Sequence, residues 1–228
     1  MNSPLASVPL FHLGPVPITA AVATTWAIML LLAGGGALLT RRLALVPGRA
    51  QSALELLVAA VDAQVRETMQ ADPAPYRAFI GTLFAFILVA NWAGVVPGVE
   101  PPTAHLETDA ALALLVFLAV ISFAIRAGGF RGYLASFALP NPVMIPLNII
   151  ENLTRSFSLL VRLFGNVMSG VFVVGIVLSL AGLLVPIPLM ALELLTGAVQ
   201  AYIFAILAMV FIAGAVGDSA SPQARTKQ

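Results

Sequence analysis

Long runs of apolar residues without a charged side chain dominate this sequence of 228 residues. The first runs from residue 18 to residue 40 and contains no Asp, Glu, Lys or Arg. A helix needs about 20 apolar residues to cross a hydrocarbon core about 30 Å thick. Only 9% of the residues are charged, against about 25% in an average soluble protein. The chain therefore lacks the charge to cover a water-exposed surface, and it is too apolar to be disordered. It is predicted to be an integral membrane protein.

Five hydrophobic segments predict an all-α membrane protein that forms one integral membrane domain over residues 1–228. Two of them exceed the thickness of a bilayer, since helices over residues 147–182 and 188–216 would be roughly 54 Å and 44 Å long at 1.5 Å per residue. We expect these two to form a strongly tilted hairpin, with the break around Pro186 and Pro188. The predicted elements are transmembrane helices at 18–40, 78–97 and 109–125, and long hairpin helices at 143–182 and 188–216.

Residues 50–72 have the pattern of a helix that is apolar on one face only. Ser52 and Glu55 have the spacing of a capping box, and Pro73 and Pro75 are expected to stop the helix. The segment either packs on neighbouring spans or lies in the inner membrane interface, and it is predicted not to span the membrane.

Basic residues collect on one side of the predicted spans, which gives an orientation. If the N-terminus lies outside, nine of the eleven Lys and Arg residues fall in inner segments. The segments left outside, 1–17, 98–108 and 182–188, contain no Lys or Arg. The prediction is an outer N-terminus and an inner C-terminus.

Polar residues recur at steps of three and four along both long hairpin segments, which places them on one face of each helix. Lipid cannot satisfy polar groups, so both stripes must face protein or water. The stripe residues are Asn148, Glu151, Arg155, Ser158, Arg162, Asn166 and Ser169 on the first helix, and Glu193, Thr196 and Gln200 on the second.

Arg162 is the most informative of these residues. Its guanidinium is a permanent cation, which costs about 2.5–3.5 kcal/mol at the centre of a membrane helix. No acid lies within two turns on its own helix, and Glu193 is interpreted as the only other intramembrane acid. Either Arg162 forms a static salt bridge with Glu193, or it meets a carboxylate of another chain and leaves Glu193 free for a proton or ion relay.

The other stripe residues also have ordinary interpretations. Arg155 is expected to extend its guanidinium to the inner interface. Asn166 and Gln200 either hydrogen-bond the two long helices to each other or take part in transport.

The sequence contains no recognisable catalytic centre. It has no cysteine, and therefore no disulfide, thiolate metal site or thiol nucleophile. It also has no Walker loop, nucleotide fingerprint, Ser/His/Asp set or zinc signature. His105 lies in an outer loop beside Glu107 and Asp109, without the second His that would favour a metal site. No cofactor, metal or nucleic acid is expected.

The run Ser158-Leu-Leu-Val-Arg162-Leu-Phe-Gly-Asn166-Val-Met-Ser-Gly170 resembles the S-L-x-x-R-L-F-G-N-x-x-x-G signature of subunit a of the F-type ATP synthases, in their membrane (Fo) sector. Four further stretches resemble motifs of this family in the right order, so that the resemblance covers roughly residues 78–216. They are Pro146-Leu-Asn-Ile-Ile-Glu151, Gln200-Ala-Tyr-Ile-Phe204, Asn91-Trp-Ala-Gly-Val-Val-Pro97 and Pro102-Thr-Ala.

This resemblance implies a non-catalytic, ion-translocating stator subunit. In the family, subunit a lies beside a rotating ring of c subunits, each with one membrane carboxylate, and two offset aqueous half-channels reach the ring from opposite sides. The residue matched to the essential arginine is Arg162, which would hold the passing carboxylate ionised and block leakage between the half-channels. Asn166 and Gln200 match positions that line the pathway or support the arginine.

The partners implied are the c-ring, the peripheral-stalk b subunits, other ATP synthase subunits and the lipid bilayer. The location implied is the bacterial inner (plasma) membrane, with a periplasmic N-terminus and a cytoplasmic C-terminus. The ion-translocation residues expected here are Arg162, Glu193, Gln200, Asn166, Ser169, Glu151 and Asn148.

Two positions depart from the family pattern. Many members have an acid or His where this chain has Val171, and an Asp in the outer loop where it has His105. Family members pair that acid or His with a His or Glu seven residues before the matched Gln, and this chain has Glu193 there. Because Val171 cannot take part, Glu193 is expected to serve the outer half-channel alone. The short N-terminus and these substitutions resemble the N-type ATPases, some of which pump sodium. The alternative function is a stand-alone secondary transporter or channel that uses Arg162 as an anion site.

Overall fold

The computed structural model describes residues 9–13, 16–41, 48–96, 99, 101–137, 142–181 and 185–225. Over these ranges the chain is a bundle of helices, preceded by a short antiparallel hairpin of β1 (Pro9–Leu13) and β2 (Val16–Thr19). The helices are α1 (Ala20–Thr40), α2 (Arg49–Met69), α3 (Arg77–Trp92), α4 (Leu106–Phe137), α5 (Ile145–Ala181) and α6 (Pro186–Arg225). Short 3-10 turns lie at Ala93–Val95, Pro102–Ala104 and Pro142–Met144.

Five of the helices in the described ranges are long and apolar enough to cross a membrane, which makes this a multi-pass membrane protein. They are α1, α3 with the turn that follows it, α4, α5 and α6. The predicted helical architecture is confirmed, while the hairpin of β1 and β2 was not expected. The division into three simple spans and a tilted pair stays a prediction, because the tilt depends on the bilayer.

The largest boundary error concerns α4, which the sequence predicted to end at residue 125. The helix continues to Phe137, with a kink at Gly129, whose φ of 70° and ψ of 170° are not helical. The prediction ended at residue 125 because the apolar run ends at Arg126. A charged residue interrupts an apolar run, but it does not interrupt a helix, and α4 includes both Arg126 and Arg131. Because glycine has no Cβ, Gly129 can adopt this positive φ without steric cost.

Helix α6 continues to Arg225, nine residues beyond the predicted end at residue 216, and the remaining helix ends differ by a few residues. The predicted capping box is wrong, because Gly48 is the N-cap of α2 and no side chain caps that end. The helix ends at Gln70, whose left-handed backbone precedes Pro73. Pro186 and Pro188 lie in the first turn of α6. Proline is tolerated there because the backbone N–H groups of a first turn have no acceptor within the helix. Predictions for Arg42, Pro97, Lys227 and residues 182–184 fall outside the described residues.

The apolar core lies where α3, α4 and α5 surround α6, and α4 and α6 form the most extensive helix pair. Fully buried side chains from the four helices meet there, among them Ile87, Val116, Leu163 and Phe204. Much of α1 and α5 stays exposed, including large apolar residues such as Leu30 and Phe157. Exposed apolar surface of this extent is typical of lipid contact or of a protein interface.

Helix α2 is attached to the bundle by polar contacts. The Arg77 Nε and Nη2 atoms donate to the two carboxylate oxygens of Asp62 at 2.5 Å each. These hydrogen bonds lower the pKa of Asp62, so the attachment is present above the normal Asp range and is lost as the pH falls through the lowered value. On the packed face of α2, Gln64 accepts a hydrogen bond from the Tyr202 hydroxyl of α6 at 2.9 Å. On another face, the Leu56 side chain is 71% exposed. One face of α2 thus packs on the spans, and another remains open.

Replacement of Gly128 by Ala is expected to destabilise the bundle. A Cβ there would lie 2.6 Å from the Ser219 carbonyl carbon and 2.8 Å from its Cβ, and backbone cannot move aside as a flexible side chain does. Overpacking of this kind costs about 1–3 kcal/mol. The measurement is the thermal unfolding of the purified protein, with Gly35→Ala as the control because no atom lies within 4 Å of its added Cβ. Equal melting temperatures for the two variants would contradict the close packing of α4 on α6.

Candidate functional site

The polar stripe of α5 lies along the margin of the face that packs on the bundle. Leu159 and Leu163 are fully buried against the core, while Arg162 is exposed and Asn166 is half-buried. Since residues three and four apart share a face, the stripe and the packed face are neighbours on the helix surface. The stripe can therefore border cavities of the bundle and also face a partner outside it.

One polar cavity, of about 140 Å³, lies where the start of α5 meets the last turns of α4 and α6. We call it the Glu151 cavity. Its polar lining residues are Tyr133, Ser136, Asn148, Glu151, Asn152, Arg155 and Asp218.

Arg155 in this cavity has two partners. Its Nη2 pairs with the Glu151 carboxylate one turn away, and its guanidinium lies 5.5 Å from the centre of the Phe211 ring. Its extension to the inner interface stays a prediction. Asn148 Nδ2 donates to the Phe137 carbonyl at 2.9 Å, which joins α5 to the end of α4.

A second cavity, of about 190 Å³, lies between the later part of α5 and the start of α6. We call it the Glu193 cavity, and its polar lining residues are Asn166, Ser169, Glu193 and Thr196. The Glu193 carboxylate lies against α5 at Gly170, where a Cβ would be 2.9 Å from Cδ of Glu193. The glycine thus makes room for the acid.

Arg162 lies between the two cavities along α5 and lines neither of them. Among the described residues it has no ion pair, so the static salt bridge with Glu193 is absent. The physical reason is distance along the helix. Glu193 contacts α5 eight residues beyond Arg162, which corresponds to about 12 Å of helix axis. The guanidinium is left exposed on the surface of the chain.

Gln200 is separate from both cavities. It is 7% exposed, and its Nε2 has no hydrogen-bond partner among the described residues. The hydrogen bond between Asn166 and Gln200, one of the two alternatives for these residues, is not formed in the part of the chain that the structure describes. Asn148, Glu151, Asn166, Ser169 and Glu193 are thus brought to two cavities, while Arg162 and Gln200 lie apart from them.

Asp109 is a buried acid that the sequence reasoning missed, because it was assigned to an outer loop beside Glu107. The structure places it in the first turns of α4, where it is 0% exposed and neither carboxylate oxygen has a partner among the described residues. Glu193 is therefore not the only other acid within the predicted spans. The signal was available, since Asp109 continues the spacing of the buried residues Ala113, Val116 and Val120.

Hydrogen bonds near Asp109 tie the turn Pro102–Ala104 to two helices. Thr103 donates to Asn91 Oδ1 at 2.7 Å, and Asn91 Nδ2 donates to the Gly197 carbonyl on α6 at 2.9 Å. Trp92 Nε1 donates to the Leu194 carbonyl at 3.0 Å. These contacts fix the end of α3 against the turn of α6 that follows Glu193.

The arrangement defines a class of protein, namely a multi-pass helical membrane protein with two polar cavities and, between them, an arginine without an ion pair among the described residues. No group of three or more His, Cys, Asp or Glu side chains that could hold a metal ion occurs in the described ranges.

Comparison with known proteins identifies the family. Residues 22–213 match the model of the family described as ATP synthase A chain. The chain is 56% identical to ATP synthase subunit a 2 of a Bradyrhizobium species over 219 residues, which cover 96% of this chain and 98% of the relative. It is 50% identical to ATP synthase subunit a 1 of Chlorobaculum parvum, over 90% of this chain and 92% of the relative. The chain belongs to the ATP synthase A chain family, which confirms the resemblance.

Replacement of Gly170 by Ala is expected to displace the Glu193 carboxylate without unfolding the protein. The added Cβ would collide with the end of a flexible side chain, which can rotate into the cavity. The modification of Glu193 by a water-soluble carbodiimide, read by mass spectrometry, should therefore become faster. Gly175→Ala is the control, since no atom lies within 4 Å of its Cβ. An unchanged rate in the Gly170 variant would show that Glu193 does not rest on α5.

Proposed function

We propose that this chain is the ion-translocating stator subunit of a rotary F-type ATP synthase. It presents Arg162 to the membrane carboxylates of a ring of c subunits and leads ions to and from them through two half-channels. The chain does not itself hydrolyse or make ATP. Its membership of the ATP synthase A chain family supports the assignment to this complex.

The observation that carries the proposal is the exposed, unpaired guanidinium of Arg162. A permanent cation within an apolar helix needs a counter-charge, and the described part of this chain supplies none. A carboxylate that passes on another subunit meets the need. Because the pairing is intermolecular, the carboxylate can be released again, as rotation of the ring requires.

The two cavities support the half-channels. The Glu151 cavity lies beside α5 before Arg162, and the Glu193 cavity lies beside it after Arg162. A carboxylate that moves past the arginine would therefore exchange ions with one cavity before the pairing and with the other afterwards. The positive charge between them repels a cation that would cross directly.

The basic residues orient the chain in this scheme, with a periplasmic N-terminus and a cytoplasmic C-terminus. The Glu151 cavity then opens toward the cytoplasm and the Glu193 cavity toward the periplasm of a bacterial inner membrane. Peripheral-stalk b subunits would hold the stator against the torque of the c-ring. Val171, Glu193 and His105 favour the N-type branch.

Replacement of Arg162 by Ala or Gln is expected to abolish coupled ATP synthesis, while assembly with the c-ring persists because the side chain makes no ion pair within the described ranges. The measurement is ATP synthesis in membrane vesicles, together with copurification of the other subunits. Arg126→Ala is the matched control, since this exposed arginine stacks 5.9 Å from the Phe123 ring, away from both cavities. Normal synthesis in the Arg162 variants would refute the proposal.

Replacement of Glu193 by Gln is expected to lower ion flux by about tenfold or more, because the amide keeps the shape of the side chain but cannot take up and release a proton. ATP-driven proton or sodium uptake into inverted vesicles measures the effect. If flux is unchanged, the pathway does not run through Glu193, and Glu151→Gln becomes the variant that tests the acid of the other cavity.

Copurification also separates this function from the alternative of a stand-alone transporter or channel. A stator subunit brings the c-ring and the nucleotide-binding subunits with it from solubilised membranes. A transporter with an anion site at Arg162 would be isolated without them.

A further inference from the structure

Three buried polar atoms in the described part of the chain lack a hydrogen-bond partner, namely both carboxylate oxygens of Asp109 and Nε2 of Gln200. Buried polar groups are nearly always paired, so each exception calls for an explanation. The two side chains are complementary, since a carboxylate accepts hydrogen bonds and an amide nitrogen donates them. Neither residue belongs to the Glu151 cavity or the Glu193 cavity.

Asp109 and Gln200 lie at matching positions along α4 and α6, counted from one contact between the two helices. The two helices run in the same direction, because each follows a span that crosses the opposite way. Gly128 on α4 contacts Ser219 on α6, which fixes their register. Asp109 and Gln200 lie 19 residues before Gly128 and Ser219 respectively, so both are about 28 Å back along their axes.

Both residues also belong to the faces by which these helices pack. Asp109 continues a row of buried α4 residues, Ala113, Val116, Val120 and Ala124, and Gln200 continues a row of buried α6 residues, Phe204, Ala208 and Ile212. An ionised carboxylate in such a place is strongly unfavourable unless a proton, a cation or water satisfies it.

A polar path leads from this level toward Glu193. Thr103, which is fully buried, is hydrogen-bonded to Asn91, and Asn91 is bonded to the carbonyl of Gly197. On α6, Gly197 follows Glu193 by one helical turn and precedes Gln200 by about one turn. Asp109 lies in the first turn of α4, which begins at Leu106 shortly after the turn Pro102–Ala104 that anchors this path.

We propose that Asp109 and Gln200 form a buried binding site for the transported cation, a proton or a sodium ion, in the half of the bundle that holds Glu193. The carboxylate of Asp109 takes up the cation, and the Gln200 amide holds the carboxylate or a bridging water in place. This site rests on the proposed function, because it supplies a further step in the same ion pathway.

The first test is ion flux in the intact ATP synthase reconstituted in liposomes. Asp109→Asn should lower ATP-driven uptake by about tenfold or more, because the amide neither takes up a proton nor attracts a cation. Glu107→Gln is the matched control, as this acid is two residues away but exposed, and it should leave uptake unchanged. A pH-sensitive dye and radioactive sodium distinguish the two cations. Normal uptake of both in the Asp109→Asn complex would overturn the proposal.

The second test is access from water, and it decides the matter if Asp109→Asn fails to assemble. The chain has no native cysteine, so Asp109→Cys can be probed with silver ions without background. Val116→Cys is the matched control, because Val116 lies two turns further on the same face and is 1% exposed. We expect reaction at position 109 and none at position 116. Protection at both positions would overturn the proposal.

The outcomes separate this site from the proposed function. If Arg162→Ala abolishes coupling while Asp109→Asn pumps normally, the stator function stands and the Asp109 site fails. If neither variant changes coupled flux, the proposed function itself fails.

Discussion

A guanidinium keeps its charge at every physiological pH, and hydrocarbon cannot solvate it, so the position of Arg162 constrains everything around it. The helix that carries it is packed through Leu159 and Leu163, which leaves the polar stripe on the margin of the packed face. Because the described part of the chain offers no acid to Arg162, the charge remains available to a partner. An arginine already paired with an acid of its own chain would not be free to bind a carboxylate of another subunit.

Two glycines allow the backbones and acids to come close enough for this separation of charges. Gly170 lets the Glu193 carboxylate rest on α5, well past Arg162, so this acid of the hairpin partner does not neutralise the arginine. Gly128 lets α4 approach the backbone of α6 at Ser219, which fixes the register of the two helices. Counted from that contact, Asp109 and Gln200 lie equally far back along the two helices. The close approach at Gly170 thus keeps Glu193 away from Arg162, and the close approach at Gly128 sets the register of α4 and α6.

Most of the fold could be predicted from the sequence, because bilayer thickness and hydrophobic runs place the spans of α1 and α3 to within a few residues. The kink of α4 could not, since the sequence shows a glycine at position 129 but not the backbone angles that it adopts. The step pattern of α5 predicted the stripe, but not the two cavities into which the bundle divides it. Asp109 was missed because hydropathy treats an acid at the end of a span as a loop residue, whereas burial depends on the tertiary packing.

The proposed function requires that Arg162 form an ion pair with a carboxylate of another subunit. The most direct measurement is an experimental structure of the assembled complex in a lipid bilayer, which shows the nearest acid to the Arg162 guanidinium. The account predicts a carboxylate of the c-ring within about 4 Å in at least one rotational state, with ordered water in the Glu151 and Glu193 cavities. An Arg162 that pairs with an acid of its own chain, or that faces lipid in every rotational state, would contradict it.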